Sequence, residues 1–462
     1  MEHQRNYADA PVDYDPRHRV LELLRRHGRA TTSFQVLEPG FSYWFARDDA
    51  CVAYADTGSA WIAAGPPIAA PKDVPTIARE FITYAKKQRR RACFFAVNKE
   101  FAQQADLDAL AIGEDPEWDL SSWSETIRAS RSLREQLRRA RTKGIHVRIV
   151  APRDVAQGRA TREAIEALIQ SWLASRPMAT MGFLVGVSPF EFSEERVYVV
   201  AEKQGQLVGF LAAVPIYARR GFFVENLLRT REAPNGTAEL LVDHAFHELA
   251  KRGICMATLG LAPLAGRVNS TLRFIRRMSK PLYNFEGVRA FKARLKPARW
   301  VAQHLAYPHG MHPIWPIRDT LSAFATGGFL RFGLETLSKQ RRLVVLVLGS
   351  LLVPWTLLLA AASIGKPWFP SAEIRTTWIV FDLGLGAALV SLFWRWRPWL
   401  VSVLAFVTAV DAALTLLQVV YWDAPRAHGI PAWVMLFVSV VAPIAATSFL
   451  VYARRLDSKA KR

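Results

Sequence analysis

The sequence predicts an α+β protein in which two mixed units in series are followed by an all-α four-helix transmembrane domain. Three observations predict this class. Strand-like and helix-like patterns alternate between residues 30 and 300, and four long apolar runs follow residue 340. Within the first part, residues 221–266 have the pattern of a strand, a Pro-Asn-Gly loop, an amphipathic helix and a second strand. A chain of 462 residues has room for about three domains.

The chain has a large excess of positive charge, with 60 Lys and Arg against 40 Asp and Glu and a formal net charge of +20. Such an excess favours a polyanionic partner, either nucleic acid or an anionic lipid surface; the alternative is a basic surface without a specific ligand. Cys51, Cys93 and Cys255 form no spaced pair, so we expect them to stay reduced, as on a cytosolic face. His244 and His247 lack a second pair of ligands, and the sequence therefore predicts no metal site.

Four runs near the C-terminus are long and apolar enough to be membrane-spanning helices. Lys and Arg cluster before the first run, between the second and third, and after the fourth. By the positive-inside rule, both ends and everything before residue 340 therefore face the cytoplasm. The N-terminus is polar and lacks the apolar region of a signal peptide. The predicted spans are Leu343–Ile364, Thr376–Trp394, Trp399–Trp422 and Pro431–Ala453.

Two predicted spans contain an aspartate, Asp382 in the second and Asp411 in the third. An ionisable group inside a membrane is costly and often functional, so these residues could bind a lipid headgroup or move protons. The alternative is a packing role, in which each carboxyl is protonated or hydrogen-bonded to a neighbouring helix, such as the one carrying Gln418.

A strongly basic helix is predicted over Ser130–Lys143, with Leu133, Leu137 and Ala140 on one face and most of its cationic residues on the other. Such a face could follow a phosphate backbone or lie against anionic lipids. A solvated run of charge is the alternative. The cationic residues are Arg131, Arg134, Arg138, Arg139, Arg141 and Lys143.

The order helix, three antiparallel strands, glycine loop, helix and strand is that of an acetyltransferase-like (GNAT-like) fold, so we predict tandem GNAT-like units. In these folds the fourth and fifth strands splay apart, and the donor enters beside the loop. The loop and the positive end of its helix could bind an anion, although an ordinary strand–helix–strand crossover is the alternative. The loop Arg231–Ala238 keeps one glycine of the usual donor signature, which weakens the case for coenzyme A.

These patterns divide the chain into six predicted segments. They are an N-terminal basic segment (1–30), a first GNAT-like unit (31–128), a second unit with the donor and acceptor site (129–305), a linker and interfacial helix (306–341), four transmembrane helices (342–455) and a basic cytoplasmic tail (456–462). An amphipathic stretch, Leu321–Leu337, is the predicted interfacial helix.

Several segments, in order, resemble the C-terminal catalytic domain of the phosphatidylglycerol lysyltransferases, the multiple peptide resistance factors. They are GPPIAAP, SLREQLRRARTKG, MGFLVG, LLRTREAPNGTAELLVDHAF with LGLAPL, and FKARLKPARW. The resemblance covers about residues 30–305. In those family members a long series of spans, including a lipid-flipping region, precedes the domain, whereas here four spans follow it, so flipping is not expected.

The resemblance implies a tandem acetyltransferase-like fold and a membrane-bound transferase of a bacterial inner membrane. It implies transfer of an aminoacyl group from aminoacyl-tRNA, a co-substrate, to the glycerol hydroxyl of phosphatidylglycerol, with no resident cofactor. The partners would be aminoacyl-tRNA, an anionic phospholipid and the membrane. Two other classes stay open: an acyltransferase that uses acyl-coenzyme A on a membrane lipid, and a non-catalytic lipid-binding membrane protein.

The candidate site residues lie mainly on the strand–loop–helix stretch. Glu225 could bind the donor's α-ammonium or accept the proton of the acceptor hydroxyl, and Arg229 could pair with a phosphate. The structural alternative is an ion pair between these two side chains and an ordinary Asn-Gly turn. The full prediction comprises Glu225 and Arg229 as catalytic residues, Asn226, Asn235, Gly236 and Thr237 as donor-binding residues, and Phe183, Arg131, Lys292 and Arg294 as acceptor- or phosphate-binding residues.

Overall fold

A computed structural model of the chain describes residues 15–266, 272–273, 276–277, 283–325, 327–362 and 371–459. The chain forms two compact units. The first comprises Met1–Arg176 with Thr180–Gly328, and the second comprises Pro177–Ala179 with Phe329–Arg462. Predictions for residues 1–14 and 460–462 lie outside the described residues.

The first unit is built on twelve described strands. They are β1 Ser42–Arg47, β2 Ala50–Asp56, β3 Ala60–Ala64, β4 Arg91–Val97, β5 Leu107–Asp119, β6 Ile145–Val150, β7 Val197–Lys203, β8 Gln206–Ile216, β9 Gly221–Arg229, β10 Met256–Thr258, β11 Ala262–Pro263 and β12 Arg299–Pro308.

Nine described α-helices flank this sheet. They are α1 Pro16–His27, α2 Val74–Lys87, α3 Lys99–Gln104, α4 Trp123–Ala129, α5 Arg131–Thr142, α6 Ala160–Ala174, α7 Thr237–Lys251, α8 Phe285–Arg294 and α9 Ile314–Phe324. Short 3₁₀ helices lie at Phe34–Leu37, Pro152–Val155, Ser193–Glu195 and Tyr217–Arg219.

All of these strands belong to one sheet, in the order β1-β2-β3-β4-β12-β5-β10-β9-β8-β7-β6, with β11 beside β5. Strand β12 is inserted between β4 and β5 and is antiparallel to both. It continues to Pro308, beyond residue 305, and its Leu305 and Ala306 are almost fully buried. The last strand of the second predicted unit therefore completes the sheet of the first.

The helices cover the sheet through narrow apolar faces. Helix α2 buries Ile77, Phe81 and other side chains spaced three or four apart, as expected for an amphipathic helix. Helix α7 likewise buries Leu241 and Phe246 against the second half of the sheet. The basic helix α5 turns Leu133, Leu137 and Ala140 inward, as predicted, and leaves most of its arginines exposed.

The predicted interfacial helix Leu321–Leu337 is two helices rather than one. Helix α9 ends at Phe324, and a new helix, α10, spans Phe329–Lys339. Gly328 between them has a φ of +91°, a left-handed conformation that ends a helix. The periodicity of apolar residues continues across the break, which is why the sequence pattern missed it. Helix α9 belongs to the first unit, where Arg91 and the buried Asp319 form an ion pair with a 2.7 Å contact.

The second unit contains four helices that are long and apolar enough to cross a membrane, which confirms the predicted number of spans among the described residues. Gly349 of the first and Gly386 of the second approach closely, because a Cβ on Gly349 would lie 2.8 Å from the Gly386 carbonyl oxygen. The four helices are α11 Arg341–Ala362, α12 Ala372–Trp394, α13 Pro398–Gln418 and α14 Ile430–Lys459, with a π-helical turn at Val419–Asp423 and a 3₁₀ turn at Ala424–Arg426.

Candidate active site

The candidate site lies where two parallel strands separate. Strand β10 pairs with β9 only from Met256, opposite Gly221, to Thr258, opposite Phe223. Beyond this point β9 continues to Arg229, whereas β10 has ended. The edge of β9 that follows Phe223 is therefore free to present side chains to a ligand, as expected for a GNAT-like fold.

A β-bulge directs Glu225 into the interior. Asn226 pairs with Ala212 and Val224 with Ala213, so Glu225 is the extra residue on β9. Its side chain is 2% exposed and forms an ion pair with Arg196, whose side chain is fully buried. The Asn226 amide donates a 3.2 Å hydrogen bond to the same Glu225 oxygen, Oε2. The bulge thus converts a strand-edge carboxylate into a buried one.

Arg196 is held from two further directions. Its Nε donates a 2.8 Å hydrogen bond to the Glu191 carbonyl oxygen, and its guanidinium lies 5.2 Å from the ring centroid of Phe34. Planar guanidinium groups favour such stacking, and fixing the group reduces its freedom to follow a ligand. Arg196 is therefore a rigid partner of Glu225.

A second carboxyl, Glu38, belongs to the same site. It follows the 3₁₀ turn Phe34–Leu37 and is only 6% exposed. Burial and the neighbouring Glu225 carboxylate raise the pKa of Glu38 to about 9, although Arg196 opposes the shift. Glu38 therefore holds a proton at neutral pH.

The protonated Glu38 side chain is hydrogen-bonded to Glu225, and apart from this bond three atoms of the cluster are buried without a partner: Glu38 Oε1, Arg196 Nη2 and Glu225 Oε1. An unpaired buried polar atom is unfavourable by about 1–3 kcal/mol, so native proteins seldom keep several together without a role. We define Glu38, Arg196, Glu225 and Asn226 as the acidic cluster. It offers the carboxylate of Glu225 beside a second buried carboxyl, Glu38, a combination suited to an ammonium group.

The predicted donor loop is largely covered by protein. Gly236 has a φ of +95°, and a Cβ there would overlap the Gln136 carbonyl oxygen of helix α5. The Thr237 side chain is buried, and its hydroxyl donates a 2.7 Å hydrogen bond to the Pro234 carbonyl oxygen. Asn235 is exposed. Helix α5 therefore packs over the start of α7 and leaves Asn235 as the accessible member of the three.

Arg229 lies apart from Glu225, at the exposed end of β9, and donates a 3.2 Å hydrogen bond to the Ala233 carbonyl oxygen. The ion pair between Glu225 and Arg229, one of the two sequence interpretations, is replaced by the pair with Arg196. Arg176 lies within the electrostatic reach of Arg229 and Arg231. Its pKa is lowered by burial and, to a smaller extent, by the charges of Arg229 and Arg231. We call Arg176, Arg229 and Arg231 the arginine cluster.

A cavity of about 240 Å³ contains a further concentration of arginine. Its wall includes Tyr283, which also acts electrostatically on Arg176 of the arginine cluster. Guanidinium groups bind phosphate oxygens through paired hydrogen bonds, so this region is suited to a phosphate-bearing ligand. The lining residues are Arg273, Arg276, Arg277, Tyr283, Asn284, Phe285 and Glu286.

Lys292 is enclosed by backbone. Its ammonium donates hydrogen bonds to the carbonyl oxygens of Leu259, Gly260 and Leu261, at 2.9, 2.7 and 2.9 Å. An ammonium has three protons, and all three are used. Burial lowers the pKa of Lys292 to about 8. Direct phosphate binding would require one of these bonds to break, so the side chain fixes the loop that follows β10.

The remaining predicted residues lie in three separate places. Phe183 is 8% exposed and packs against the rings of Phe95 and Phe324, at centroid distances of 5.7 and 5.3 Å. Arg131 is exposed at the start of helix α5, and Arg294 is exposed with its guanidinium 5.8 Å from the Phe291 ring centroid. The fold thus brings Glu225 and Asn226 together and leaves the other eight predicted residues outside the acidic cluster.

Comparison with known proteins identifies the family to which the sheet domain belongs. The sequence model described as "Phosphatidylglycerol lysyltransferase, C-terminal" matches residues 21–307, more than half of the chain. The chain belongs to this family. The match confirms the resemblance found in the sequence, and it spans Glu38, Arg196 and Glu225 as well as the whole sheet.

Two curated relatives bear related names. The chain is 24% identical over 306 residues to the phosphatidylglycerol lysyltransferase of Bacillus subtilis, a match that covers 63% of this chain and 35% of the relative. It is 24% identical over 241 residues to the lysylphosphatidylglycerol biosynthesis bifunctional protein LysX of Nocardia farcinica, covering 49% and 21%. The match therefore spans about a third of the first relative and less of the second.

Solved structures of similar proteins share the fold of this family domain. One is the C-terminal domain of a candidate lysylphosphatidylglycerol synthetase from Agrobacterium fabrum, with a TM-score of 0.59, 22% identity, and coverage of 68% of this chain and 98% of that one. Another is L-PGS from Bacillus licheniformis, with a TM-score of 0.58, 20% identity, and coverage of 67% and 95%. The predicted fold class, α+β with GNAT-like units followed by four apolar helices, is confirmed.

Glu38 and Arg196 are the members of the acidic cluster that the sequence did not reveal. Glu38 stands in Glu-Pro-Gly, which is typical of a turn, and Arg196 stands at the start of a strand. Their partner Glu225 is 29 residues from Arg196 and in the other predicted unit from Glu38. The available signal was a charged residue next to an apolar strand, a position that usually demands a buried partner.

Proposed function

We propose that this chain is a membrane-bound aminoacyltransferase that moves an aminoacyl group from aminoacyl-tRNA to a phosphatidylglycerol-like lipid at the cytoplasmic face of a bacterial inner membrane. The observation that carries the proposal is the acidic cluster, with its three unpaired buried atoms, inside a domain of the phosphatidylglycerol lysyltransferase family. An aminoacyl group has a free α-ammonium, which complements Glu225 and Glu38.

The acidic cluster would bind the donor by its ammonium. The ion pair with Arg196 holds the Glu225 carboxylate in a fixed position, which favours its role as the ammonium anchor over its role as proton acceptor. An arriving cation would lower the pKa of Glu38, so Glu38 would release its proton and add a second negative charge. The ammonium would thereby satisfy oxygen atoms that have no partner in the free protein.

The transfer itself needs little covalent chemistry from the protein. The lipid hydroxyl oxygen attacks the ester carbonyl, the bond between this carbon and the ribose oxygen of the tRNA breaks, and the hydroxyl proton passes to that ribose oxygen. An ester donor is already activated, so orientation of the two substrates supplies most of the acceleration. The acidic cluster would fix the reacting carbonyl relative to the opening between β9 and β10.

The arginine cluster is suited to the phosphates of the substrates. Burial lowers the pKa of Arg176, and the positive charges of Arg229 and Arg231 lower it further, so a phosphate beside Arg176 would offset their repulsion. Both proposed substrates are phosphodiesters. Arg229 therefore keeps its proposed phosphate-binding role, at a distance from the ammonium anchor.

The distribution of basic residues supports the cytoplasmic orientation. Lys and Arg flank the start of α11, the α12–α13 connection and the end of α14, whereas the ends on the opposite side carry fewer, including Arg375 and Arg426. With four spans, both ends of the chain would lie on the same, cytoplasmic side, where aminoacyl-tRNA is available.

The decisive experiment compares lipids from a host that contains phosphatidylglycerol and expresses wild-type chain, Glu225→Gln or Glu232→Gln. Wild type and the exposed control Glu232→Gln should produce a new aminoacylated lipid by mass spectrometry, and Glu225→Gln should reduce it at least roughly 100-fold, because it removes the ammonium anchor. Absence of such a lipid from the wild-type extract would refute the proposal for that set of lipids.

Ribonuclease treatment identifies the donor. If aminoacyl-tRNA is the donor, prior digestion of the lysate abolishes activity, and addition of purified aminoacyl-tRNA restores it. Activity that survives digestion and depends on acyl-coenzyme A would favour the second class of transferase. The covered start of helix α7 argues against that outcome, because the Gly236–Thr237 backbone is packed against α5 and is not open to a pyrophosphate.

A further inference from the structure

The four-helix unit contains a cavity of about 410 Å³. Most of its wall is apolar, from residues such as Leu352, Trp355 and Leu385, but one side carries several polar groups. Its lining contains no Lys, Arg or His among the described residues. We define the polar side as the aspartate wall; it consists of Trp378, Asp382, Thr408, Asp411, Thr415, Gln418 and Asp423.

Part of the aspartate wall is linked by hydrogen bonds. Thr415 donates its hydroxyl proton to Asp411 Oδ1 at 3.2 Å, Trp378 donates its indole N–H to Gln418 Oε1 at 3.1 Å, and the Gln418 amide donates to Asp423 Oδ2 at 3.3 Å. These bonds fix Asp411 and Asp423 on the α13 side of the cavity. They leave Asp423 Oδ1 buried without a partner.

Asp382 completes the wall from the neighbouring helix α12. It is only 6% exposed, lines the cavity, and makes no hydrogen bond within the part of the chain that the structure describes. The nearest carboxylate that acts on it electrostatically is Asp411. Arg426 influences Asp423 from outside the cavity, where it is bonded to the Trp422 carbonyl oxygen. An unpaired carboxyl in a membrane interior is unfavourable, and a bound cation would offset this cost.

We propose that this cavity binds an organic cation with a primary ammonium on an apolar body. The ammonium would contact Asp382 and Asp411, and the apolar body would occupy the space beside Leu352 and Trp355. A metal ion fits less well, since within the described ranges no three His, Cys, Asp or Glu side chains converge as ligands. A lipid with an amine-bearing headgroup and a free amphiphilic amine both present this chemistry.

The test uses the full chain in phosphatidylcholine nanodiscs and measures equilibrium binding of radiolabelled dodecylamine, with dodecanol as the neutral probe of equal length. Wild type should bind the amine saturably and at least roughly tenfold more tightly than Asp382→Asn or Asp411→Asn, because each variant removes one partner of a buried charge pair. Glu373→Gln is the matched control, since this exposed residue is on the same helix as Asp382 but outside the cavity. Equal affinity for amine and alcohol, or equal binding by wild type and the Asn variants, would overturn the proposal.

A second measurement needs no variant. A hydrophobic carbodiimide labels buried carboxyl groups, and the labelled residue can be identified by peptide mass spectrometry. Dodecylamine, but not dodecanol, should protect Asp382 of the wild-type chain; protection by both or by neither contradicts the proposal. Protection by sodium chloride alone at equal ionic strength would assign the site to a small inorganic cation instead.

Two further experiments identify the molecule that carries the ammonium and distinguish the cation site from the proposed transferase site. Competition by lysyl-phosphatidylglycerol stronger than by free dodecylamine would assign a lipid, and the reverse order would assign a soluble amine. Glu225→Gln should bind dodecylamine as wild type does, since Glu225 belongs to the other unit. The proposed cation site is therefore tested independently of the proposed aminoacyl transfer.

Discussion

Two groups of buried charges in the described part of the first unit, Lys292 with Asp115 and the acidic cluster, differ in how well their polar atoms are satisfied. Lys292 acts electrostatically on Asp115, and its three protons are all donated to carbonyl oxygens; Asp115 accepts a 2.9 Å hydrogen bond from Thr31. One oxygen of this group, Asp115 Oδ1, lacks a partner, whereas the acidic cluster has three such atoms. We infer from this difference that Lys292 stabilises a loop, whereas the unpaired atoms of the acidic cluster are available to the proposed ligand.

Burying charged groups can either raise or lower the free energy of unfolding. A buried ion pair can contribute little compared with apolar residues of the same volume, yet removal of one partner costs about 3–5 kcal/mol because the other is left unpaired. We therefore expect substitutions in the acidic cluster to abolish activity, and substitution of Lys292 to lower stability without changing substrate binding.

The largest effect should come from an apolar replacement of the pair in the acidic cluster. The single variant Arg196→Met should destabilise the protein by about 3–5 kcal/mol, since it leaves two buried carboxyls without a cation. The double variant Arg196→Met with Glu225→Leu should recover most of that stability, by thermal unfolding in detergent, but should produce no aminoacylated lipid. Recovery of lipid product by the double variant would show that the cluster is structural.

Lys292→Met should act in the opposite way. The change leaves three carbonyl oxygens without their donor and should destabilise the protein by about 2–4 kcal/mol. The fraction that folds at low temperature should retain the wild-type KM for lipid, because Lys292 contacts backbone rather than substrate. A raised KM with unchanged thermal stability would assign Lys292 to the acceptor site after all.

The pH dependence of stability should distinguish Glu38 from other carboxyls. Burial and Glu225 raise the pKa of Glu38 from 4.5 to about 9, so the folded chain binds more protons than the unfolded chain between these values. This group's contribution to stability is therefore fully present below pH 4.5 and is lost as the pH rises toward 9. Glu38→Gln should flatten the fall in melting temperature between pH 6 and pH 9; an unchanged slope would contradict the assignment.

The smallest effect is expected for Asp115→Asn. Burial raises the pKa of Asp115 to about 6, so its unfavourable ionisation is complete only above that pH. Asparagine removes this cost, keeps an acceptor for Thr31 and loses the attraction to Lys292, so the net change at pH 7 should be within about 1 kcal/mol. A loss of several kcal/mol would mean that the Asp115–Lys292 attraction dominates this group.

Local patterns were sufficient for most elements and for the number of spans. Helix α5 follows from apolar periodicity alone, and its bounds, Arg131–Thr142, lie one residue inside those predicted at each end. Membership of the family was likewise evident from short segments in order. Glu225 was also predicted as a candidate site residue, because a carboxylate next to a donor-like loop is conspicuous.

The rest depends on contacts between distant parts of the chain. Arg196 and Glu38 come close to Glu225 only after the sheet forms. Lys292 has the sequence context of an exposed helical lysine, but the loop after β10 encloses it in the fold. Gly236 was predicted to face a donor, but the arrival of helix α5 over it is a tertiary event. Periodicity carries no information about such packing, so the sequence indicated a candidate site but not Glu38 and Arg196.

The insertion of β12 has a consequence for biogenesis. Strands β4 and β5 cannot complete their hydrogen bonding until the ribosome has synthesised Pro308, although both precede residue 120. Until then β4 and β5 have unpaired edges, and such edges favour slow folding and aggregation. Closure would therefore come after synthesis of every residue of the acidic cluster and shortly before the first apolar span leaves the ribosome, so that assembly of the catalytic unit and delivery to the membrane would coincide.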